Sequence, residues 1–278
     1  MKNLLRCLFT LLIFFNISSC KKKVDIVIIP IPVVLDVDAQ KFITAAVITD
    51  STQKIALNNF VTQLKDSSLW ETFKAIYPMV GESASSMQWN LKDPQNTDHS
   101  YRLTFFGSPV FSSTGVLFPT VNDFADTHLA DTSLGGYNNA SMSYYSRTQN
   151  TISGYDIGCT DGAAPYNELS ISFVDGDDSE WFGFSEEDVL TPNTTGLFMF
   201  SSTTADVKRF RNGVVKAAKG SSGYESYTNL TILIGKSRVT SHPGQRECAL
   251  ASLGKGLSDA QSLTFYNIVQ NFETKLNR

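Results

Sequence analysis

The stretch VKRFRNGVV, residues 207–215, predicts two short strands joined by a tight turn. Asn212 and Gly213 lie between Phe210 and the two valines, and they are residue types that suit the positive φ which both positions of a two-residue hairpin turn need. Similar runs recur over most of the chain after residue 76, at 101–106, 141–145, 169–173, 181–184, 197–200 and 230–234. Many short strands divided by turns predict an antiparallel β-sandwich or barrel.

Helices are predicted at both ends of this strand-rich region. Apolar residues recur at helical spacing in 38–76, with Asp38 as the cap of a first helix and Asp50 or Ser51 as the cap of a second. Asp50-Ser51-Thr52 also resembles a bacterial O-glycosylation acceptor, and we favour the cap. Ser258 starts a third helix. The residues expected on the buried sides of the second and third helices are Ile55, Leu57, Phe60, Val61 and Leu64, and Leu263, Tyr266, Ile268, Val269 and Phe272.

Alternation along the strands separates a core face from an outer face. Within 169–173 it places the three large apolar residues in the core and the two serines on the opposite face. The same reasoning assigns Phe182 and Phe184 to the core. Trp181 is then a candidate exposed aromatic.

The first twenty residues predict export. Lys2 and Arg6 precede an apolar run at 7–15, which is too short for a membrane span. The ending Ile17-Ser18-Ser19-Cys20 resembles a bacterial lipobox, in which the cysteine is lipidated and the chain is cut just before it. An ordinary cleaved signal is the alternative.

Lipid on Cys20 would act together with Lys21, Lys22 and Lys23 as a two-signal membrane anchor. Lysine after the cysteine, in place of the aspartate linked to inner-membrane retention, favours the outer membrane. The predicted organisation is a cleaved signal at 1–19, the lipidated cysteine and a tether at 20–37, helices packed on the sandwich at 38–76, and the sandwich with its final helix at 77–278.

Composition excludes several classes. The formal net charge is −4, and −6 once Lys2 and Arg6 are removed with the signal, which disfavours nucleic acid as a partner. The three histidines and four cysteines are scattered, which disfavours a zinc site. Cys159 and Cys248 sit in strand-like runs; buried thiols are favoured and a disulfide stays open.

The C-terminal part resembles a concanavalin A-like, laminin-G-like jelly roll. The resemblance rests on the hairpin at 207–213, the strand ending at Gly235, the strand 248–254, and the stretch 256–261 that leads into a helix. Stretches at 75–81, 89–94, 144–148 and 246–249 are similar to uncharacterised bacterial and phage surface or tail proteins. The resemblance implies a mainly β sandwich. It does not determine the function, because this fold hosts lectins, glycanases and adhesive modules.

Catalytic chemistry has little support in the sequence. Glycanases of this fold place two carboxylates on one strand at a fixed short spacing, and no such pattern is present. The acidic run at 175–180 is interpreted as a hairpin end. A calcium loop with Asp175, Asp177 and Asp178 as oxygen donors is an alternative, and a catalytic pair is a remote one.

The candidate binding residues are aromatic and amide side chains. An aromatic ring suits the CH face of a sugar ring, and an amide suits its hydroxyl groups. The residues that supply them are Trp181, Tyr144, Tyr145, Tyr224, Tyr227, Asn138 and Asn139. We expect a lipoprotein with a non-catalytic binding or adhesion module, for glycan by resemblance. A polysaccharide hydrolase or lyase with an unrecognised acid set and a protein-binding structural module of phage-like ancestry are the alternatives.

Overall fold

Two antiparallel sheets pack face to face, and three longer helices lie on one of them. The computed structural model describes residues 34–136, 138–160, 168–174, 177–182, 188–190, 193–220, 229–237 and 243–278. At 168, 174, 177–182, 188–190 and 219 it describes the backbone alone. Residues Leu35–Arg278 form one compact unit.

The described residues contain four helices and fifteen strands. The helices are α1 (Val37–Ala45), α2 (Ser51–Asp66), α3 (Ala84–Met87) and α4 (Asp259–Lys275). The strands are β1 (Phe73–Tyr77), β2 (Thr104–Phe106), β3 (Val110–Phe111), β4 (Val116–Leu117), β5 (Phe124–Ala130), β6 (Ala140–Ser146), β7 (Gly154–Thr160), β8 (Glu168–Val174), β9 (Asp177–Phe182), β10 (Asp188–Leu190), β11 (Gly196–Ser202), β12 (Asp206–Arg211), β13 (Val214–Gly220), β14 (Thr231–Ile234) and β15 (Cys248–Gly254).

The strand order confirms the predicted sandwich. One sheet, sheet A, runs β13-β12-β11-β6-β15-β4-β3, with β1 also paired to β15. The other, sheet B, runs β10-β9-β8-β7-β14-β5-β2. The hairpin at 207–215 is confirmed, because Asn212 (φ 51°) and Gly213 (φ 75°) form the two-residue turn between β12 and β13.

The core between the sheets confirms the inward face predicted for β8. Leu169, Ile171 and Phe173 are all buried in it. Ser170 and Ser172, expected on an outer face, are also fully buried. Alternation therefore predicted which side chains share a face, but it did not predict that both faces of β8 are covered.

A second apolar cluster lies between sheet A and the helices. Met199 and Phe210 of the sheet are buried with Phe60 and Phe272 of α2 and α4. Because sheet A has the core on one face and this cluster on the other, the side chains of its central strands β6 and β15 are buried on both faces. Among the described residues, no helix is long and apolar enough to cross a membrane.

The structure confirms Asp50 and Ser258 as helix N-caps. The prediction of Asp38 as the cap of the first helix is wrong. Asp50 accepts from the N–H of Gln53, and Ser258 forms a capping box with Gln261. The cap of α1 is Asp36, which accepts from the N–H of Asp38. Asp38 itself lies in the first turn, where a carboxylate also complements the helix dipole.

Two expected helix contacts are wrong, and one strand begins later than predicted. Ile55 and Leu263 were expected to be buried, but their side chains are 44% and 46% exposed. On α4, Phe265 is buried where Leu263 was expected to be. The predicted strand 101–106 starts only at Thr104, because Tyr101 has φ 58° and ends a 3-10 turn.

Among the described residues, two ion pairs are fully buried. Arg246 Nε donates to both Asp156 carboxylate oxygens, at 3.0 and 2.8 Å. Arg278 Nε donates to Glu273 Oε2 at 2.7 Å. Cys159 and Cys248 are buried thiols and do not form a disulfide.

Candidate functional site

The structure removes Tyr144 from the candidate surface residues. Its ring lies in the core between the sheets and its hydroxyl donates to the carbonyl of Arg246 at 2.7 Å. Burial raises the pKa of this phenol well above its usual value. The expectation of an exposed ring is wrong because β6 lies in the middle of sheet A, where both faces are covered.

Tyr145 points to the other face of β6 and is only 7% exposed under the helices. Its hydroxyl donates to Gln270 Oε1 of α4 at 3.3 Å. Burial raises its pKa as well. Tyr145 borders a surface cleft, but its ring does not offer an open face.

Several other candidates lie outside the described residues or are described only in part. Cys20, Asp175, Tyr224, Tyr227 and Phe184 are outside them. The backbone of Asp177, Asp178, Trp181 and Phe182 belongs to β9, but their side chains are not described. Asn138 and Asn139 are exposed. Within the described part of the chain, no group of three or more His, Cys, Asp or Glu residues is placed to hold a metal ion.

An aromatic pair, one ring exposed and the other half-buried, lies on the outer face of sheet B, at the edge formed by β2. The rings of Phe106 and Phe124 stack with centroids 4.7 Å apart and planes 13° apart. They are a cross-strand pair, and Phe106 is 43% exposed. Lys236 Nζ lies 4.3 Å from the centroid of the Phe124 ring. We call this pair the Phe106–Phe124 platform.

Hydrogen-bonding groups follow the platform along the same face. Thr104 and Asp126 form the next cross-strand pair on this face. His128 Nε2 lies 2.8 Å from Thr104 Oγ1 and 3.5 Å from Asp98 Oδ1. Arg102 donates to Asp98 Oδ1 at 3.2 Å. An acid, an imidazole, a guanidinium and a hydroxyl therefore stand beside exposed aromatic surface.

Strand register connects this region to the position of Trp181. Directly paired residues form one row across the outer face of sheet B, in the order Thr104, Asp126, Leu233, Gly158, Ser170 and Trp181. Paired residues share a face. The backbone position of Trp181 thus belongs to the face that carries the platform.

The platform was missed from the sequence because the segment that carries it does not alternate cleanly between apolar and polar residues. In the fold, the side chains of FADTHLA, 124–130, alternate between partly exposed and buried along the whole strand. The large apolar Phe124 lies on the partly exposed side and the small Ala125 on the buried side, so the sequence pattern did not indicate β5. Phe105, paired with Ala125, packs against the core, which leaves Phe106 on the outer face.

No protein-family model and no curated protein sequence matches the chain. Among solved structures, it is similar to domain 4 of AbnA, a GH43 extracellular arabinanase from Geobacillus stearothermophilus, in complex with arabinotriose. The TM-score is 0.50 and the identity 16%, over 70% of this chain and 98% of that domain. It is also similar to Trypanosoma rangeli sialidase in complex with sialic acid, with a TM-score of 0.50 and 9% identity, over 69% of this chain and 32% of the sialidase. The chain thus spans about a third of the sialidase. At these identities the likeness shows the β-sandwich fold alone.

Proposed function

We propose that the chain is a membrane-anchored bacterial lipoprotein that presents a non-catalytic glycan-binding module. The observation that carries the proposal is the Phe106–Phe124 platform, because its exposed ring surface is continuous with hydrogen-bonding side chains. Sugars present an apolar CH face and a rim of hydroxyl groups. A flat ring with polar neighbours complements both.

The location of the platform supports the same proposal. The helices cover the central strands of sheet A, so the side chains there are committed to packing. On sheet B, the edge at β2 leaves Phe106 exposed. A fold likeness to a domain solved with arabinotriose is in line with sugar binding.

The first test is a glycan array probed with the whole chain in detergent, followed by titration of the best ligand. Phe106→Ala should weaken binding several-fold to about tenfold, because a lost aromatic contact is worth about 0.5–1.5 kcal/mol beyond its area. Ile55→Ala is the matched control, since Ile55 is similarly exposed but lies on α2. Its affinity should equal that of the parent.

Two results would contradict the proposal. One is an array without any saturable ligand. The other is a ligand that Phe106→Ala binds as tightly as the parent does. Release of reducing ends from a bound polysaccharide, abolished by one Asp or Glu substitution, would favour the hydrolase alternative instead.

A further inference from the structure

A second polar site lies on the opposite sheet, between the hairpin turn and the last helix. It is a cleft of about 370 Å³ at the end of β6 and the start of β11. The side chains that define it are Tyr145, Arg147, Asn193, Asn212 and Gln270. We call it the donor cleft, for the reason given next.

The amide oxygens in the donor cleft are already engaged by the protein. Asn193 Oδ1 accepts from the N–H of Thr195 at 2.9 Å, and Asn212 Oδ1 accepts from the N–H of Leu197 at 2.9 Å. These backbone donors fix the orientation of both amides. Neither Nδ2 group has a hydrogen-bond partner among the described residues, so each side chain has free donors at the cleft.

Arg147 adds a positive charge that attracts the buried Glu273 carboxylate but forms no ion pair with it. Its guanidinium has no hydrogen-bond or ion-pair partner in the described part of the chain, and its Nε is buried. No carboxylate is among the described residues that line the cleft. The acid nearest along α4, Glu273, is buried and paired with Arg278. A buried donor without an acceptor is costly, so the cleft favours a ligand that brings acceptor oxygens.

We propose that the donor cleft binds the carboxylate of an acidic sugar. A carboxylate has two oxygens that match the planar fork of a guanidinium. The two Asn Nδ2 groups are then available to the ring oxygen and hydroxyls. This site is separate from the Phe106–Phe124 platform in sheet and in chemistry, and the proposal does not depend on the platform.

The test uses ligand-observed saturation-transfer NMR on the whole chain in detergent. Sodium glucuronate is compared with its methyl ester, which has the same ring without the charge. We expect saturable binding of glucuronate and binding of the ester at least about tenfold weaker, because hydrogen bonds to charged groups are worth about 1.5–3 kcal/mol. Loss of glucuronate binding in Phe106→Ala would place the sugar acid at the Phe106–Phe124 platform and overturn the assignment to the donor cleft.

Three variants separate ligand contact from folding. Arg147→Gln should weaken glucuronate binding about tenfold or more. Asn193→Asp keeps the acceptor for Thr195 but replaces the donors with a negative charge, so it should abolish binding while the melting temperature is retained. Lys255→Gln removes one positive charge at the opposite end of β6, where Ser141 Oγ donates to the Lys255 carbonyl, and should have no effect.

The proposal is overturned if glucuronate shows no saturable binding, if the ester binds equally well, or if Arg147→Gln and Asn193→Asp bind like the parent. Inorganic sulfate serves as the competitor. Displacement of glucuronate by sulfate at equal concentration would mark a general oxyanion site and overturn the assignment to a sugar acid. Weak displacement by sulfate would support it.

Discussion

Phe173 shows how one side chain joins the two sheets. It is fully buried, with the Arg246 guanidinium 4.1 Å from its ring centroid and the Phe198 ring edge-on at 5.1 Å. Phe173→Ala would leave a cavity that these neighbours cannot fill, and should lower the free energy of unfolding by about 3–5 kcal/mol. Urea denaturation measures it. Phe106→Ala is the exposed counterpart and should cost much less; equal losses would contradict the burial assigned to Phe173.

A buried ion pair, Arg246–Asp156, lies beside Phe173. Arg246 is fully buried, and its remaining donors bond Asn150 Oδ1 at 3.1 Å and the carbonyls of Ile152 and Gly154. Removing the negative partner leaves an uncompensated buried cation. Asp156→Asn should therefore destabilise the fold by about 3–5 kcal/mol.

A double variant separates the charge effect from packing. Arg246→Met together with Asp156→Leu should recover much of the stability lost in Asp156→Asn, because the pair is removed without an orphaned charge. Calorimetric melting of the three proteins measures this. A double variant that is less stable than Asp156→Asn would show that the hydrogen bonds of Arg246 outweigh its desolvation.

At the scale of elements, the local sequence predicted where turns form and where helices begin. It could not predict the burial of a side chain, which depends on the elements packed against it. The Asn212-Gly213 hairpin and the caps Asp50 and Ser258 follow from chemistry within a few residues, and all three are confirmed. Tyr144 and Ser170 lie on strands whose two faces are both covered, which no alternation within one strand can indicate. The donor cleft combines residues from four separate segments, so the sequence could not assemble it.

The junction of α1 and α2 predicts a dependence on pH. Lys65 Nζ bonds Asp36 at 2.7 Å and Asp38 at 2.7 Å, and so joins the start of α1 to the end of α2. The hydrogen bond from Lys65 lowers the pKa of Asp38 below its usual 3.8, against an opposing effect of burial. The stabilisation is therefore complete above that usual value and is lost as pH falls through the lowered pKa.

Lys65→Met should lower the free energy of unfolding by about 1 kcal/mol near neutral pH. The difference from the parent should shrink as the solution is acidified below 3.8. Urea denaturation across this range measures it. Lys41→Met is the control, because Lys41 pairs with Asp38 within α1 and its side chain is 61% exposed; it should change little. A Lys65→Met deficit that stays constant into strong acid would contradict the coupling.

At the scale of the whole molecule, the two sheets differ in the surface that they offer to a ligand. The central strands of sheet A are enclosed by the core and the helices, and the donor cleft lies at the ends of two of them. Sheet B has the Phe106–Phe124 platform at its β2 edge. If both proposals hold, one glycan chain could bind the Phe106–Phe124 platform through a neutral sugar and the donor cleft through an acidic sugar. Because the two sugars are covalently linked, binding at one site would raise the effective concentration at the other and so increase the affinity.

Such a module acts at a membrane only if the chain is anchored there, and the proposed anchor is lipid on Cys20. Acyl chains contribute about 0.8 kcal/mol per buried CH₂, and each of Lys21, Lys22 and Lys23 adds about 1 kcal/mol near an anionic surface. Cys20→Ser should therefore abolish labelling by a palmitate analogue and release the protein from the membrane fraction. Replacing the three lysines with glutamine should leave labelling intact, because acyl chains supply most of the binding energy. Cys159→Ser is the matched control, since that thiol is buried in the core. A Cys20→Ser protein that labels and sediments with membranes like the parent would place the anchor elsewhere.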